Sequence, residues 1–181
     1  MDNNQSINRI FITGNAGSGK TSLSLKLNKI LQIPVINLDK IVWKPRWKMT
    51  PPEERAALIA EIIQSDKWII DGVSKDVLSA ADTVIFLDFP RKVVFWRLCK
   101  RNWKYLFHSR PELPQKCPEI LVIKKLIKIV WNFSLQVRPD IIEKISHINN
   151  TKNVFHIRSN LELKNLLDWF EKNDANRKEL E

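Results

Sequence analysis

The sequence predicts an α/β fold in which a mostly parallel sheet is covered by helices on both faces. Short apolar runs alternate with helical patterns along the chain, which is typical of β-α-β units. The runs are almost continuously apolar, as strands buried on both faces are. With 181 residues, 44% of them hydrophobic, the chain is long enough for one domain with a substantial core. We therefore expect one three-layer α/β/α domain.

Five apolar runs are expected to form the strands, and each is followed by a helical pattern. The strands are residues 9–13, 33–38, 68–70, 83–87 and 154–157. The helices are residues 22–31, 51–65, 77–81, 92–107, 119–137, 139–148 and 161–170. A proline-rich segment at 108–118 suggests a lid inserted at about 102–138. The domain is expected to span residues 1–171, with a flexible tail at 172–181.

A glycine-rich phosphate-binding motif follows the first strand. Residues 14–21 read GNAGSGKT, a full match to G-x-x-x-x-G-K-S/T, and they hold three of the four glycines in the chain. Such a loop curls round an anion and points backbone N–H groups at it, and the following helix adds its partial positive charge. This predicts a P-loop NTPase fold. The candidate nucleotide-binding residues are Gly14, Asn15, Ala16, Gly17, Ser18, Gly19, Lys20, Thr21 and Ser22.

The motif implies ATP and Mg²⁺ as ligands. Lys20 is expected to reach the β and γ phosphates, and the Thr21 hydroxyl is expected to bind Mg²⁺. Asp39, Asp71 and Asp88 each follow a predicted strand, at the sheet edge where α/β folds bind ligands. We assign Asp71 to the metal, with Asp88 as the alternative or as a cap of the next helix. Asp39, with Trp43 nearby, is assigned to the acceptor or to a structural role.

Arginines supply the candidate clamp for the transferred phosphoryl group. Arg97 and Arg101 lie four residues apart on a predicted helix, so their side chains share one face. Arg110 and Arg138 would join them if the basic segment folds over the nucleotide, because phosphoryl transfer needs its developing charge neutralised. The alternative for all four is a solvated basic surface.

Positive charge is concentrated in one part of the chain. The formal net charge is +10, and residues 91–138 hold 12 Lys and Arg against two acids, so the rest of the chain is neutral. This concentration suits polyphosphate and equally suits a nucleic-acid backbone. A solvated basic face is the third interpretation.

Composition indicates a cytoplasmic protein. There is no signal-peptide pattern and no apolar stretch of membrane-spanning length, so no membrane is expected as a partner. Cys99 and Cys117 lack metal-binding spacing and are expected to be reduced thiols. Among the tryptophans, Trp68, Trp96, Trp131 and Trp169 have apolar neighbours and are expected in the core. Trp43, Trp47 and Trp103 have basic neighbours, which would permit stacking on nucleic-acid bases without demanding it.

With these residues placed, the chain resembles the small P-loop proteins known as DNA topology modulation proteins, relatives of adenylate kinase. The resemblance spans about residues 9–167 and rests on ITGNAGSGKTSL, IPVINLDKIVWKPRW, KWIIDG, ADTVIFLDFPR, WRLCKR, SRPELPQKCPE and VRP. It implies five strands in the order 2-3-1-4-5, Asp71 and Gly72 at the metal, and Arg97 and Arg101 at the base of a lid. Val73, Ser74 and Lys75 depart from the Phe-Pro-Arg that follows Asp-Gly in adenylate kinases, so the acceptor stays open.

Three functions fit these observations. The first is a kinase that transfers the γ-phosphoryl group of ATP to a small acceptor, with a nucleotide as one candidate. The second is a DNA-associated ATP-binding protein that uses its basic segment on nucleic acid. The third is an ATPase without an acceptor. Oligomeric state is not predicted by any of these features.

Overall fold

A computed structural model describes residues 7–104, 123–148 and 152–178, without the side chains of 101–104, 123–127 and 176–178. Five parallel strands form its main sheet. They are β1 (Arg9–Gly14), β2 (Val35–Asn37), β5 (Trp68–Asp71), β6 (Thr83–Leu87) and β7 (Asn153–Ile157). A two-stranded antiparallel hairpin of β3 (Trp43–Lys44) and β4 (Lys48–Met49) lies between β2 and β5 in the chain.

The strand order of the main sheet is β2-β5-β1-β6-β7. Counted along the chain without the hairpin, this is 2-3-1-4-5, as predicted. The glycine-rich motif therefore follows the central strand. The ends of β2 and β5 lie on one side of the motif, and those of β6 and β7 on the other.

Helices connect the strands and cover the sheet. In chain order they are α1 (Lys20–Leu31), α2 (Leu38–Val42), α3 (Pro52–Ile62), α4 (Lys75–Ala80), α5 (Arg91–Lys104), α6 (Ile123–Asn132), α7 (Arg138–Ile148) and α8 (Asn160–Lys178). A 3₁₀ turn (Pro45–Trp47) joins the hairpin strands, and a π-helix (Phe133–Val137) joins α6 to α7. Helix α8 continues beyond residue 171, where we expected the domain to end.

Two cores form because alternate residues of each strand face opposite sides of the sheet. On one face Ile10, Ile12 and Ile85 pack with residues of α1 and α8. On the other face Phe11 and Phe86 pack with residues of α3, α4 and α7. This is the predicted three-layer α/β/α arrangement.

The segment after β2 differs from the expected strand and loop. Asn37 ends the strand by capping α2, since its side-chain oxygen accepts a hydrogen bond from the Asp39 N–H at 2.8 Å. Asp39 therefore lies in the first turn of a short helix. The Asn37 side chain competes with strand pairing for the backbone N–H of Asp39, and an apolar sequence pattern does not reveal such a cap.

The tryptophan assignments are partly wrong. Trp68 is fully buried, but the side chains of Trp96 and Trp131 are each 61% exposed. Arg91 lies 5.1 Å from the Trp131 ring centroid, which gives that indole a cationic neighbour at the surface. Cys99 is an exposed free thiol, and Cys117 lies outside the described residues. Within the described part of the chain, no helix is both long and apolar enough to cross a bilayer.

Candidate nucleotide and acceptor site

The glycine-rich motif forms a tight loop between β1 and α1. Gly19 caps α1 with a φ of 103° and Gly17 has a φ of 81°, a conformation that residues with a Cβ rarely adopt. A Cβ on Gly17 would lie 2.9 Å from a methyl carbon of Leu98, so α5 packs directly on the loop. The loop therefore has the geometry of an anion-binding turn at a helix N-terminus.

Lys20 folds back over this loop. Its Nζ donates hydrogen bonds of 3.0 Å to the carbonyl oxygens of Gly14 and Asn15. These bonds hold the ammonium group at the mouth of the loop, where an anion held by the backbone N–H groups would meet it. Asn15 turns its side chain away, donating to the Val130 carbonyl at 3.0 Å, so it ties the loop to α6 and does not line the cavity.

A hydrogen-bonded cluster at the ends of three segments forms the candidate metal site. The Thr21 hydroxyl donates to Asp71 Oδ2 at 2.7 Å. The Asn37 amide donates to the same oxygen at 3.2 Å and to Thr21 Oγ1 at 3.3 Å. The other Asp71 oxygen, Oδ1, is buried and has no hydrogen-bond partner among the described residues. A buried carboxylate oxygen beside a hydroxyl oxygen is a pair of oxygen ligands that suits Mg²⁺.

Burial raises the pKa of Asp71. The hydrogen bond from Thr21 and the charge of Lys20 oppose this effect, and the nearby negative charge of Asp39 adds to it. A buried carboxylate next to a second one is better accommodated when a cation binds, because the cation supplies the missing opposite charge. The residues present therefore fit a hydrated Mg²⁺.

Asn37 is a site residue that the sequence analysis missed. It lies at the carboxyl end of β2, next to Asp71 in the sheet. The available signal was a polar residue inside the otherwise apolar run IPVINL. That residue interrupts the run where strands of this fold place ligand-binding groups.

Arg97 lies against the glycine-rich loop, on the side of α5 that faces it. Its Nη1 donates to the Ser18 carbonyl at 2.8 Å and its Nη2 donates to Asn160 Oδ1 at 2.6 Å. The guanidinium carbon lies 4.1 Å from the Phe89 ring centroid. Arg97 is thus not part of a solvated basic face. The side chain of Arg101 and the whole of Arg110 lie outside the described residues.

Arg138 and Asp88 pair with each other. Arg138 donates to both carboxylate oxygens of Asp88, at 2.7 and 2.8 Å, and His156 Nε2 lies 2.8 Å from Asp88 Oδ2. Burial would raise the pKa of Asp88, but the hydrogen bonds and charges of Arg138 and His156 outweigh it and lower that pKa. The structure therefore brings neither residue to Thr21, and the Asp88 carboxylate is instead bound by Arg138 and His156.

One cavity of about 680 Å³ joins these features. Its floor is the glycine-rich loop with the start of α1. One wall, from β2, α2, the hairpin and the residues after β5, includes Asp39, Val42, Trp43, Trp47 and Val73. The opposite side includes Arg97, Leu163 and Leu167, and Ile129 and Phe133 also line the cavity. Ser22 lines the cavity as predicted.

Among the described residues, no second candidate metal centre competes with this site. Within the described ranges, no three His, Cys, Asp or Glu side chains cluster in a way that could hold a metal ion. The expected absence of a zinc site stays a prediction, and Cys117 lies outside those ranges.

Comparison with solved structures places the chain among kinase folds. Shikimate kinase from Bacteroides thetaiotaomicron matches with a TM-score of 0.55 and 18% sequence identity, over 92% of this chain and 98% of that one. A gluconokinase from Sinorhizobium meliloti 1021 matches with a TM-score of 0.49 and 14% identity, over 95% of this chain and 96% of that one. A scan of protein-family models and a search of curated protein sequences find no match.

The first of these matches shows the fold: the chain has the three-layer α/β/α fold of P-loop kinases. At this level of identity the match does not transfer a substrate. It also does not bear on the resemblance to DNA topology modulation proteins, which stays a prediction.

Proposed function

We propose that the protein is an ATP-dependent phosphotransferase that moves the γ-phosphoryl group to a hydroxyl of a small acceptor. The observation that carries this proposal is the single cavity that joins a phosphate-binding loop, the Thr21–Asp71 pair and a separate wall bearing Asp39. A nucleotide and a second substrate can meet in such a cavity.

The triphosphate would lie along the loop. Backbone N–H groups between Gly14 and Thr21 would hold its oxygens, and Lys20 would exchange its loop carbonyls for the β and γ phosphates. Arg97 would bind on the opposite side, where it already contacts Ser18. Arg101 and Arg110 remain candidates for the lid. Arg138 would act indirectly, because its guanidinium group is held by Asp88.

Thr21 and Asp71 would hold Mg²⁺, with Asn37 orienting both. When bound, the ion neutralises charge on the phosphate oxygens. The Asp71 carboxylate must be deprotonated for this role. The hydrogen bonds from Thr21 and Asn37 favour the charged form, against the effect of burial.

Asp39 would position the acceptor hydroxyl and accept its proton. In the transfer step the acceptor oxygen bonds to the γ-phosphorus and the bond from the γ-phosphorus to the β–γ bridging oxygen breaks. ADP leaves with that electron pair, and the hydroxyl proton passes to the Asp39 carboxylate. If the acceptor is itself a phosphate, no base is needed and Asp39 would only position it.

The test is binding of a non-hydrolysable ATP analogue with Mg²⁺, measured by calorimetry and by thermal unfolding. Ligand at 100 times its Kd should stabilise the native protein by about 2.7 kcal/mol. Lys20→Ala should weaken binding roughly 10- to 100-fold, since it removes a charged hydrogen-bond donor. Lys29→Ala, at an exposed position on the same helix, is the matched control. Unchanged affinity in Lys20→Ala would refute the proposed phosphate site.

Transfer is tested separately from binding. Asp39→Asn should lower kcat with an acceptor roughly 100-fold if Asp39 is the base. It should leave the affinity for the ATP analogue nearly unchanged. A wild-type rate in Asp39→Asn would remove the residue from the reaction.

A DNA-associated role is the second candidate, because the positive charge is concentrated between residues 91 and 138. DNA binding should weaken steeply as salt rises. It should be lost when Lys124, Lys125 and Lys128 are reversed in charge, while a kinase would keep its turnover in that variant. ATP hydrolysis that gives no phosphorylated product with any acceptor tested would instead favour the simple ATPase.

A further inference from the structure

The cavity wall that bears Asp39, Trp43 and Trp47, called the acceptor wall below, differs in chemistry from the side formed by the glycine-rich loop. Nine lining residues come from the segment from Asn37 to Trp47 and from the end of β5 to Val73, and Asp39 and Asp71 are the charged residues among them. Asp71 belongs to the metal cluster, which leaves Asp39 as the charge available to an acceptor. The other side chains of this wall that are not in the metal cluster are apolar.

Among the described residues, the cations that line the cavity come from other elements. They are Lys20 and Lys26 on α1 and Arg97 on α5. Lys44, on the hairpin, forms an ion pair with Glu54 at 2.8 Å and does not line the cavity. An acidic acceptor would therefore place its negative charge beside the Asp39 carboxylate. Removing the acceptor's charge from water is costly when no cation on this wall pairs with it.

Two indole rings form the apolar part of the wall. The ring centroids of Trp43 and Trp47 are 5.3 Å apart and their planes meet at 83°. Both residues are partly buried and both line the cavity. A planar ring laid on one indole would present its edge to the other, which is the edge-to-face arrangement that aromatic groups prefer.

The backbone that holds these rings is strained. Trp47 has a φ of 57° and Arg46 a φ of 63° within the turn of the hairpin. Bulky residues rarely adopt positive φ, and such strain is concentrated at sites that hold ligands. The turn thus places a large aromatic side chain at the cavity at a cost in backbone energy.

We propose that the acceptor is a flat-ringed alcohol without acidic groups, neutral or positively charged, that stacks on Trp43 and Trp47 and places its hydroxyl at Asp39. This inference rests on the proposed phosphotransfer. It names the substrate class of that site: aromatic or heteroaromatic alcohols, nucleosides included, in preference to phosphorylated or carboxylated acceptors.

The test compares matched ligands by calorimetry, with and without saturating ATP analogue and Mg²⁺. The probes are thymidine, adenosine and pyridoxine, each beside its 5′-phosphate, with shikimate as a carboxylated acceptor that has no aromatic ring. At least one of the three alcohols should bind roughly tenfold more tightly than its phosphate and than shikimate. Equal or tighter binding of the phosphates or of shikimate would overturn the inference, as would failure of all three alcohols to bind.

Variants locate the binding. Trp47→Ala and Trp43→Ala should each weaken the bound alcohol about tenfold, which is the scale of one ring-stacking contact. Trp47→Phe should restore most of the affinity and guards against a folding defect. Trp96→Ala, at an exposed position outside the cavity, is the matched control. Unchanged affinity in both alanine variants would refute stacking on these rings.

The two proposals fail in different ways. Failure of wild-type protein to bind the ATP analogue would refute phosphotransfer. Binding of the alcohols, measured without nucleotide, would still test whether the wall with Trp43, Trp47 and Asp39 binds them. Tight binding of the analogue with no alcohol bound would refute only the acceptor class.

Discussion

At the residue scale, the most informative group is the Asp71 carboxylate. One of its oxygens is shared by Thr21 and Asn37, and the other is buried without a hydrogen-bond partner among the described residues. Without a cation this arrangement is costly, because burial and the charge of Asp39 both disfavour the ionised form. The ionised Asp71 carboxylate therefore lowers the folding stability of the metal-free protein, and a bound cation would offset this cost.

This cost predicts a specific pH dependence. A carboxyl group whose pKa is raised in the folded protein makes the ionised protein less stable, so stability falls as pH rises through that pKa. We expect metal-free wild type to lose stability relative to Asp71→Asn as the pH is raised from 4 upward, by at most about 1.4 kcal/mol per pH unit. Urea unfolding at a series of pH values measures this. Parallel profiles for the two proteins would contradict the raised pKa.

The conformation of individual residues was predictable where it depends on residues that are close together in the chain. Gly14, Gly19 and Lys20 lie within one motif, and their arrangement as a loop and a cap follows from that motif. Asp71 and Asp88 follow equally apolar strands, so the sequence favoured one without excluding the other. The structure places Asp71, and not Asp88, against Thr21, across 50 residues of chain.

At the scale of elements, the Asp88 carboxylate joins three of them. It follows β6, and it is bound by Arg138 at the start of α7 and by His156 in β7. The ring of His156 in turn stacks on Phe86, with centroids 5.0 Å apart. This network fixes α7 against the sheet, close to the end of the strand that pairs with Gly14.

We predict that Arg138→Ala destabilises the protein by roughly 2 kcal/mol, because it leaves a mostly buried carboxylate without the two hydrogen bonds that Arg138 donates. The low pKa of Asp88 means that this contribution is present at neutral pH and is lost as pH falls below the usual range of Asp. Denaturant unfolding at pH 7 and pH 3 measures both effects. Lys144→Ala, which removes an exposed ion pair on the same helix, is the control. A Lys144→Ala protein as unstable as Arg138→Ala would contradict this.

Element boundaries were predictable where periodicity was unbroken. The strands β1, β6 and β7 and the helix α1 lie within a few residues of their expected positions. The short helix α2 and the hairpin were not foreseen, because they depend on the Asn37 cap and on positive φ at Arg46 and Trp47. These are the elements that build the acceptor wall.

At the scale of the whole molecule, stability comes from the two cores on either side of the sheet. Ile85 is fully buried in the middle of β6 and contributes to the core beneath α1 and α8. We expect Ile85→Ala to cost roughly 2–5 kcal/mol, from lost burial and the cavity left behind. Leu161→Ala, at a position 68% exposed, should change stability by less than about 0.5 kcal/mol. The midpoints of urea unfolding report both values, and similar midpoints would mean that the core is not where the structure puts it.

The sequence by itself determined the glycine-rich loop and the fold class. Both are written in local patterns: the spacing of three glycines, a lysine and a threonine, and the alternation of apolar strands with helices. Local patterns can be predicted from sequence because they depend on residues that are close together in the chain and not on distant contacts.

Only the tertiary structure decided which acid meets Thr21, which partner Arg138 takes, and that Trp43, Trp47 and Asp39 share one cavity wall. The first two depend on side chains from elements 50 residues apart, and the wall depends on a strained turn. Residue type and spacing set what each group is able to bind. Its actual partner is set by the distances and burial that exist only once the sheet and its helices have packed together.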